Sequence, residues 1–151
     1  MESVLFLDAD AQPQFSEGRH NIKLHDPQGQ VEWQDGLLEL IEVPSAQAPH
    51  EVQYYSVPQA RKLLRGKRPA NATWCTFLKR NRECIPDAWP RDEGTVVIFF
   101  GTQFEHNGRE EFCCLSYWSH SGWGSHVEDA WASLPHKLYL VVLTNDTPAH
   151  R

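Results

Sequence analysis

Asn107-Gly108 divides the stretch TVVIFFGTQFEHNGREEFCCLSYW, Thr95 to Trp118, into two arms rich in β-branched and aromatic residues. An Asn-Gly pair can hold positive φ at both central positions of a type I′ turn, whose twist matches the strands that it joins. The spacing therefore predicts a long hairpin over Thr95–Trp118. Its first arm, Val96-Val97-Ile98-Phe99-Phe100, is apolar at every position, which predicts a mid-sheet strand with packing on both faces. A chain that carries such a strand must build its core around it.

A length of 151 residues suits one domain, 1–151, with residues 145–151 expected to fray as a polar tail. Ahead of the first polar loop only Val4 to Leu7 is apolar, and no basic residue precedes it. That pattern predicts neither a secretory leader nor a membrane span, and a cytoplasmic location follows as the default. The four cysteines, Cys75, Cys84, Cys113 and Cys114, form no C-x-x-C pair. Buried reduced thiols are expected, with Cys113 and Cys114 on opposite faces of one strand. This cysteine spacing implies no structural zinc site, and no cofactor is expected.

Along the chain, Glu2–Asp8 predicts a strand beside the central hairpin. Asn21–His25 and Gln30–Gln34 predict a second hairpin closed by Asp26-Pro27-Gln28-Gly29, where Pro and Gly suit a type I turn. Leu37–Val43 fits a short strand better than a helix, Pro44–Pro49 a loop, and Glu51–Ser56 a further strand. Ser56-Val57-Pro58-Gln59 matches a capping box opening a helix that Gly66 ends at Arg65. A second helix follows Lys67–Asn71, with Trp74, Phe77 and Leu78 at the spacing of one buried face. Ile85–Gly94 predicts a loop. Ser125-His126-Val127-Glu128 reads as another capping box, opening a helix to Leu134, and Lys137–Thr144 as a last apolar strand.

Charge is distributed unevenly. From Pro58 to Cys84 there are eight basic residues, Arg61, Lys62, Arg65, Lys67, Arg68, Lys79, Arg80 and Arg82, against the single acid Glu83. With −6 overall, the remainder carries −13. If both helices expose their cations on one side, they form a positive surface able to contact an anionic partner. No helix-turn-helix or aromatic strand motif for nucleic acid accompanies the charge, so an acidic protein surface is favoured over nucleic acid.

Three other groups of residues invite chemistry. VLFLDADAQ ends an apolar strand in Asp-x-Asp and resembles the first motif of the haloacid dehalogenase-like phosphohydrolases. That resemblance implies Asp8 as nucleophile and Asp10 as acid/base beside a divalent metal. It covers nine residues, Gln12 stands where that family has Thr or Val, and the later lysine and acidic pair are missing. Strand-end carboxylates facing solvent explain the pair better. His106, His120, His126 and His136, with nearby acids, could serve a metal or a general base, yet they lack ligand spacing. Cys113 or Cys114 with His120 has the residue types of a nucleophile and its base, although an apolar strand favours packing. Finally, Tyr117–His126 sets Trp118 and Trp123 among Ser, Gly and His, the composition of a binding loop.

These readings combine into an α+β domain, a mixed or mainly antiparallel sheet centred on 95–118 with about three short helices packed on it. The expected function is a non-enzymatic interaction protein contacting an anionic macromolecule through the eight basic residues, with Trp118 and Trp123 as further binding candidates. The rival is a small metal- or His-dependent hydrolase or nuclease with its site near 117–126.

Overall fold

The computed structural model describes residues 4–13, 21–43, 46–47, 53–54, 57–128, 137–145 and 147. In chain order the described elements are β1 (Phe6–Asp8), β2 (Asn21–His25), β3 (Gln30–Glu32), β4 (Leu38–Glu42), β5 (Ala46–Gln47) and β6 (Gln53–Tyr54). Then come α1 (Val57–Leu63), β7 (Arg68–Pro69), α2 (Ala72–Arg80), a 3₁₀ turn at Arg82–Cys84, β8 (Thr95–His106), β9 (Arg109–Trp118), β10 (Gly122–Glu128) and β11 (Lys137–Leu143). Strand dominates, so the expected α+β domain with three helices is replaced by a mostly β fold carrying two α-helices among the described residues.

The β8–β9 hairpin forms where the Asn-Gly pair places it, with Asn107 at φ 52° and Gly108 at φ 76°. It sits inside a seven-stranded sheet of order β10-β9-β8-β11-β4, in which β8 and β11 are parallel and the other neighbours antiparallel. Side chains alternate faces with period two. Val97, Phe99, Cys113, Leu115, Tyr139 and Val141 join the cluster containing Trp74, Phe77 and Leu78 of α2. Val96, Ile98, Phe112, Cys114, Leu138 and Leu140 join the one containing Ala60 of α1 and Leu64 just beyond it. The two helices therefore cover opposite faces, and the vicinal cysteines part as the strand period requires.

The link between the helices crosses the sheet. Register against β9 breaks between Phe99 and Phe104, where β8 bulges and turns away from β11 to pair with β2. Residues 68–71 fill the fork. Arg68 and Pro69 pair with Leu143 and Val142; the Ala70 N–H donates to the Val141 carbonyl, and the Ala70 carbonyl accepts from the Gly101 N–H. The backbones approach so closely that a Cβ on Gly101 would stand 2.6 Å from the Pro69 carbonyl oxygen.

A buried amide network fixes this crossing. Gln28 Oε1 accepts from the Asn71 backbone N–H and the Trp74 indole, both at 2.9 Å, while Gln28 Nε2 donates to the Pro69 carbonyl and Asp26. Asn71 caps α2 by accepting the Thr73 N–H, and its Nδ2 donates to the carbonyls of Ala9 and Asp26. Both amides use each donor hydrogen, and each oxygen accepts at least once, as burial demands.

Several local expectations change because long-range pairing overrides them. β1 pairs with β3 in a separate two-stranded sheet rather than beside the hairpin, and β2 pairs with β8. The expected β2–β3 hairpin is thus absent, its intervening residues being drawn into the Gln28–Asn71 network. Within the expected 44–49 loop, Ala46–Gln47 pairs with Gln53–Tyr54, while Ser56 of the first capping box lies outside the described residues. Ser125–Glu128 is strand, not a helix start: β10 pairs with β9 from Gly122↔Trp118 to Glu128↔Phe112. The remainder of that expected helix, 129–134, lies outside the described residues. In the tail, Thr147 is buried, and its hydroxyl donates to the Leu37 carbonyl.

Candidate functional site

The basic residues are placed in three groups. Arg61, Lys62 and Arg65 are exposed along α1 and the turn after it, with Lys67 exposed just beyond Gly66. Spacings of three and four residues put the first three on one side of a helical turn. Arg68 is half-buried and donates to the carbonyls of Thr144 and Thr147, which makes it a clamp on the chain end. Lys79, Arg80 and Arg82 are exposed at the end of α2, on the opposite face of the sheet. A single surface of eight cations therefore does not form, because the helices straddle the sheet instead of lying side by side.

Beside the α1 cations the bulge in β8 opens a cavity of about 530 Å³, lined among others by Leu24, Pro27, Arg61, Pro69, Phe100 and Phe112. Phe100 and Phe112 stack face to face, with ring centroids 4.0 Å apart. Leu24 is 63% exposed at its edge. The Arg61 guanidinium, at the cavity wall, meets Glu110 at 2.9 Å; both side chains are solvated, so the pair contributes no more than about 1 kcal/mol. His25, also in the lining, has Nδ1 2.8 Å from the Thr102 hydroxyl. Leu24, Phe100 and Phe112 were not singled out from the sequence as site residues. The signal they left is faint: Gly101 ends the apolar run Val96–Phe100 in mid-strand, and a glycine inside a strand marks a bulge or a close backbone approach.

The two tryptophans part company. Trp118 is 44% exposed with its ring 6.5 Å from that of His120, whereas Trp123 is buried, packed edge-on against Trp89 and Tyr117. Trp123 is a core residue, because β10 turns its odd-numbered positions toward the α2 face. Its indole N–H and the Thr95 hydroxyl are buried without a hydrogen-bond partner among the described residues.

The residues with reactive chemistry are mostly engaged. Asp8 accepts the Asp10 N–H and Asp10 accepts the Gly29 N–H, so both tie the end of β1 to the loop before β3. That strand lies in a two-stranded antiparallel sheet, and the phosphohydrolase resemblance ends there. Glu93 accepts the Ser119 N–H, and hydrogen bonds from Ser119 hold its carboxyl below the usual carboxylate range. The thiol that meets a histidine is Cys114, whose partner is His126 and not His120, with Sγ 3.0 Å from Nε2. The pair has the reach of a nucleophile and base, yet Cys114 is fully buried. Among the described residues, no three His, Cys, Asp or Glu side chains gather as metal ligands, and no helix is long and apolar enough to cross a membrane.

Comparison with protein-family models, with curated proteins and with solved structures found no match.

Proposed function

We propose that this protein is a non-catalytic binding module. It meets an acidic protein segment through Arg61, Lys62, Arg65 and Lys67, and takes an apolar side chain of that segment into the cavity between Leu24, Phe100 and Phe112. The observation that carries this reading is the adjacency of an exposed cationic helix and an apolar cavity, with Arg61 belonging to both. Each exposed cation facing a carboxylate contributes about 0.2–1 kcal/mol. Burying one Leu or Phe of the partner contributes roughly 1.5–3 kcal/mol. Neither part alone gives a specific complex; together they match the usual arrangement of an apolar anchor inside a charged rim.

The test uses fluorescent peptides alternating Glu with Leu, and anisotropy over a range of salt. Arg61, Lys62 and Arg65 all changed to Glu should weaken binding by an order of magnitude or more, and Leu24→Asp should weaken it independently. Lys79, Arg80 and Arg82 changed to Glu should have little effect beyond net charge. Equal loss from the two triple variants would reject the α1 surface in favour of unspecific attraction. A polynucleotide that binds tighter than the peptides would replace the protein partner with nucleic acid.

A further inference from the structure

On the other side of the molecule lies a groove of about 610 Å³ where the end strand β4 meets the Pro-rich loop 85–90. Leu38, Leu40, Ile85, Trp89 and Tyr139 give it an apolar floor. Its remaining lining includes Asp35, Glu39, Glu83 and Asp87, and no Lys, Arg or His. Asp87 has Arg91 at 3.8 Å and a fully open side chain; the other three make no ion pair with a described residue. Asp35 and Glu83 both act on the Cys84 thiol, which burial and then these carboxylates push up, so their fields converge within the groove.

Carboxylates on or beside an end strand, such as Glu39 on β4, have an ordinary use. They keep the edges of two copies from pairing, since each copy would bring the same charge. The same placement does not repel every strand. Among the described residues β4 pairs only with β11, so its other backbone edge is left open at strand spacing, and Leu38, Glu39 and Leu40 of the same strand line the groove. A segment that is itself cationic meets attraction where a second copy meets repulsion.

We propose that this groove and the outer edge of β4 bind an extended, basic segment of a partner protein, one that alternates Lys or Arg with apolar residues. The apolar side chains rest on Trp89 and Leu40, the cations face Asp35, Glu83 and Asp87, and the backbone adds a strand to β4. Partner class follows from charge complementarity, and the proposal stands apart from the cavity beside α1, whose cation Arg61 lines no part of this groove.

The experiment titrates the full chain into fluorescein-labelled peptides of equal length, one alternating Lys with Val and one Glu with Val. The basic peptide should bind saturably, and Asp35→Asn with Glu83→Gln and Asp87→Asn should weaken it roughly tenfold. A control of equal charge change, Asp8→Asn with Glu32→Gln and Glu105→Gln, should shift it less than about twofold. N-methylation of alternate backbone amides should abolish binding, because it removes the donors of the added strand. No saturable binding, or the same loss in both triple variants, overturns the proposal. So does undiminished binding of the methylated peptide with displacement by spermidine, which would assign the groove to small amines. The acidic peptide reports on the α1 surface, so either site can fail without the other.

Discussion

His126 presents its Nε2 3.0 Å from the Sγ of Cys114, at directly paired positions of adjacent antiparallel strands. One residue earlier, Cys113 faces the other side, where its polar neighbour is the thiol of Cys75. Serine at the two positions should therefore behave differently. Cys114→Ser keeps a hydroxyl within reach of the imidazole and of the His126 carbonyl, and should cost less than about 1 kcal/mol. Cys113→Ser buries a hydroxyl with only a weak partner, at about 1–3 kcal/mol. Urea unfolding of both variants measures this order, and equal losses would contradict it.

Gly101→Ala should be among the more damaging single-methyl changes in the chain. The new Cβ would meet backbone, at 2.6 Å from the Pro69 oxygen, 2.8 Å from the Asn71 nitrogen and 2.9 Å from the Ala70 carbonyl carbon. None of these can rotate away, so the fork must widen, at about 1–3 kcal/mol. Gly124→Ala, with nothing within 4 Å of its Cβ, should stay within about 0.5 kcal/mol of the parent. Thermal melts of the two variants test the contrast.

The cysteines should show a graded reactivity. Burial raises the Cys75 thiol well above 9.0, with Cys113 adding to it, and burial raises Cys84 as well. Cys84 is slightly exposed at the groove, while Cys75 is fully enclosed. Iodoacetamide at mildly alkaline pH should label Cys84 first and Cys75 only on unfolding, as read by mass spectrometry. The folded values lie above the unfolded one, so burial of these thiols costs no stability below about pH 9.0, and the folded state loses stability as pH rises further.

Glu93 predicts the opposite pH dependence. Its carboxyl is lowered from 4.5 by hydrogen bonds from Ser119, so its contribution is present above that value and lost as pH falls through the folded one. The Ser119 amide resonance should titrate with a midpoint below 4.5, and Glu93→Gln should remove the titration. A midpoint at or above 4.5 would show that the loop hydrogen bond is not formed in solution.

How much was legible follows the range of each interaction. The β8–β9 turn was readable because two adjacent residues, Asn107 and Gly108, determine it. α2 was readable for the same reason, with Asn71 capping a helix whose Trp74, Phe77 and Leu78 share a face. Ser125–Glu128 misled because a serine followed three residues later by glutamate satisfies a capping pattern. The strand is instead selected by seven paired positions on β9, which no local window contains. The basic segment misled in another way: charge can be counted from sequence, but Ala70 passing between Val141 and Gly101 sends its two halves to opposite faces. Leu24, Phe100 and Phe112 come together only through the β8 bulge, whose register no short motif encodes.

The passage of residues 68–71 between β8 and β11 has a mechanical consequence. A strand order that leaves a gap for connecting chain commits the two helices to a common fate: neither can peel from the sheet without pulling on the rivet that fastens the other. Force applied to α1 should be felt at α2 through the body of the sheet, and a backbone cut at Gly66 should uncouple them while leaving each one seated.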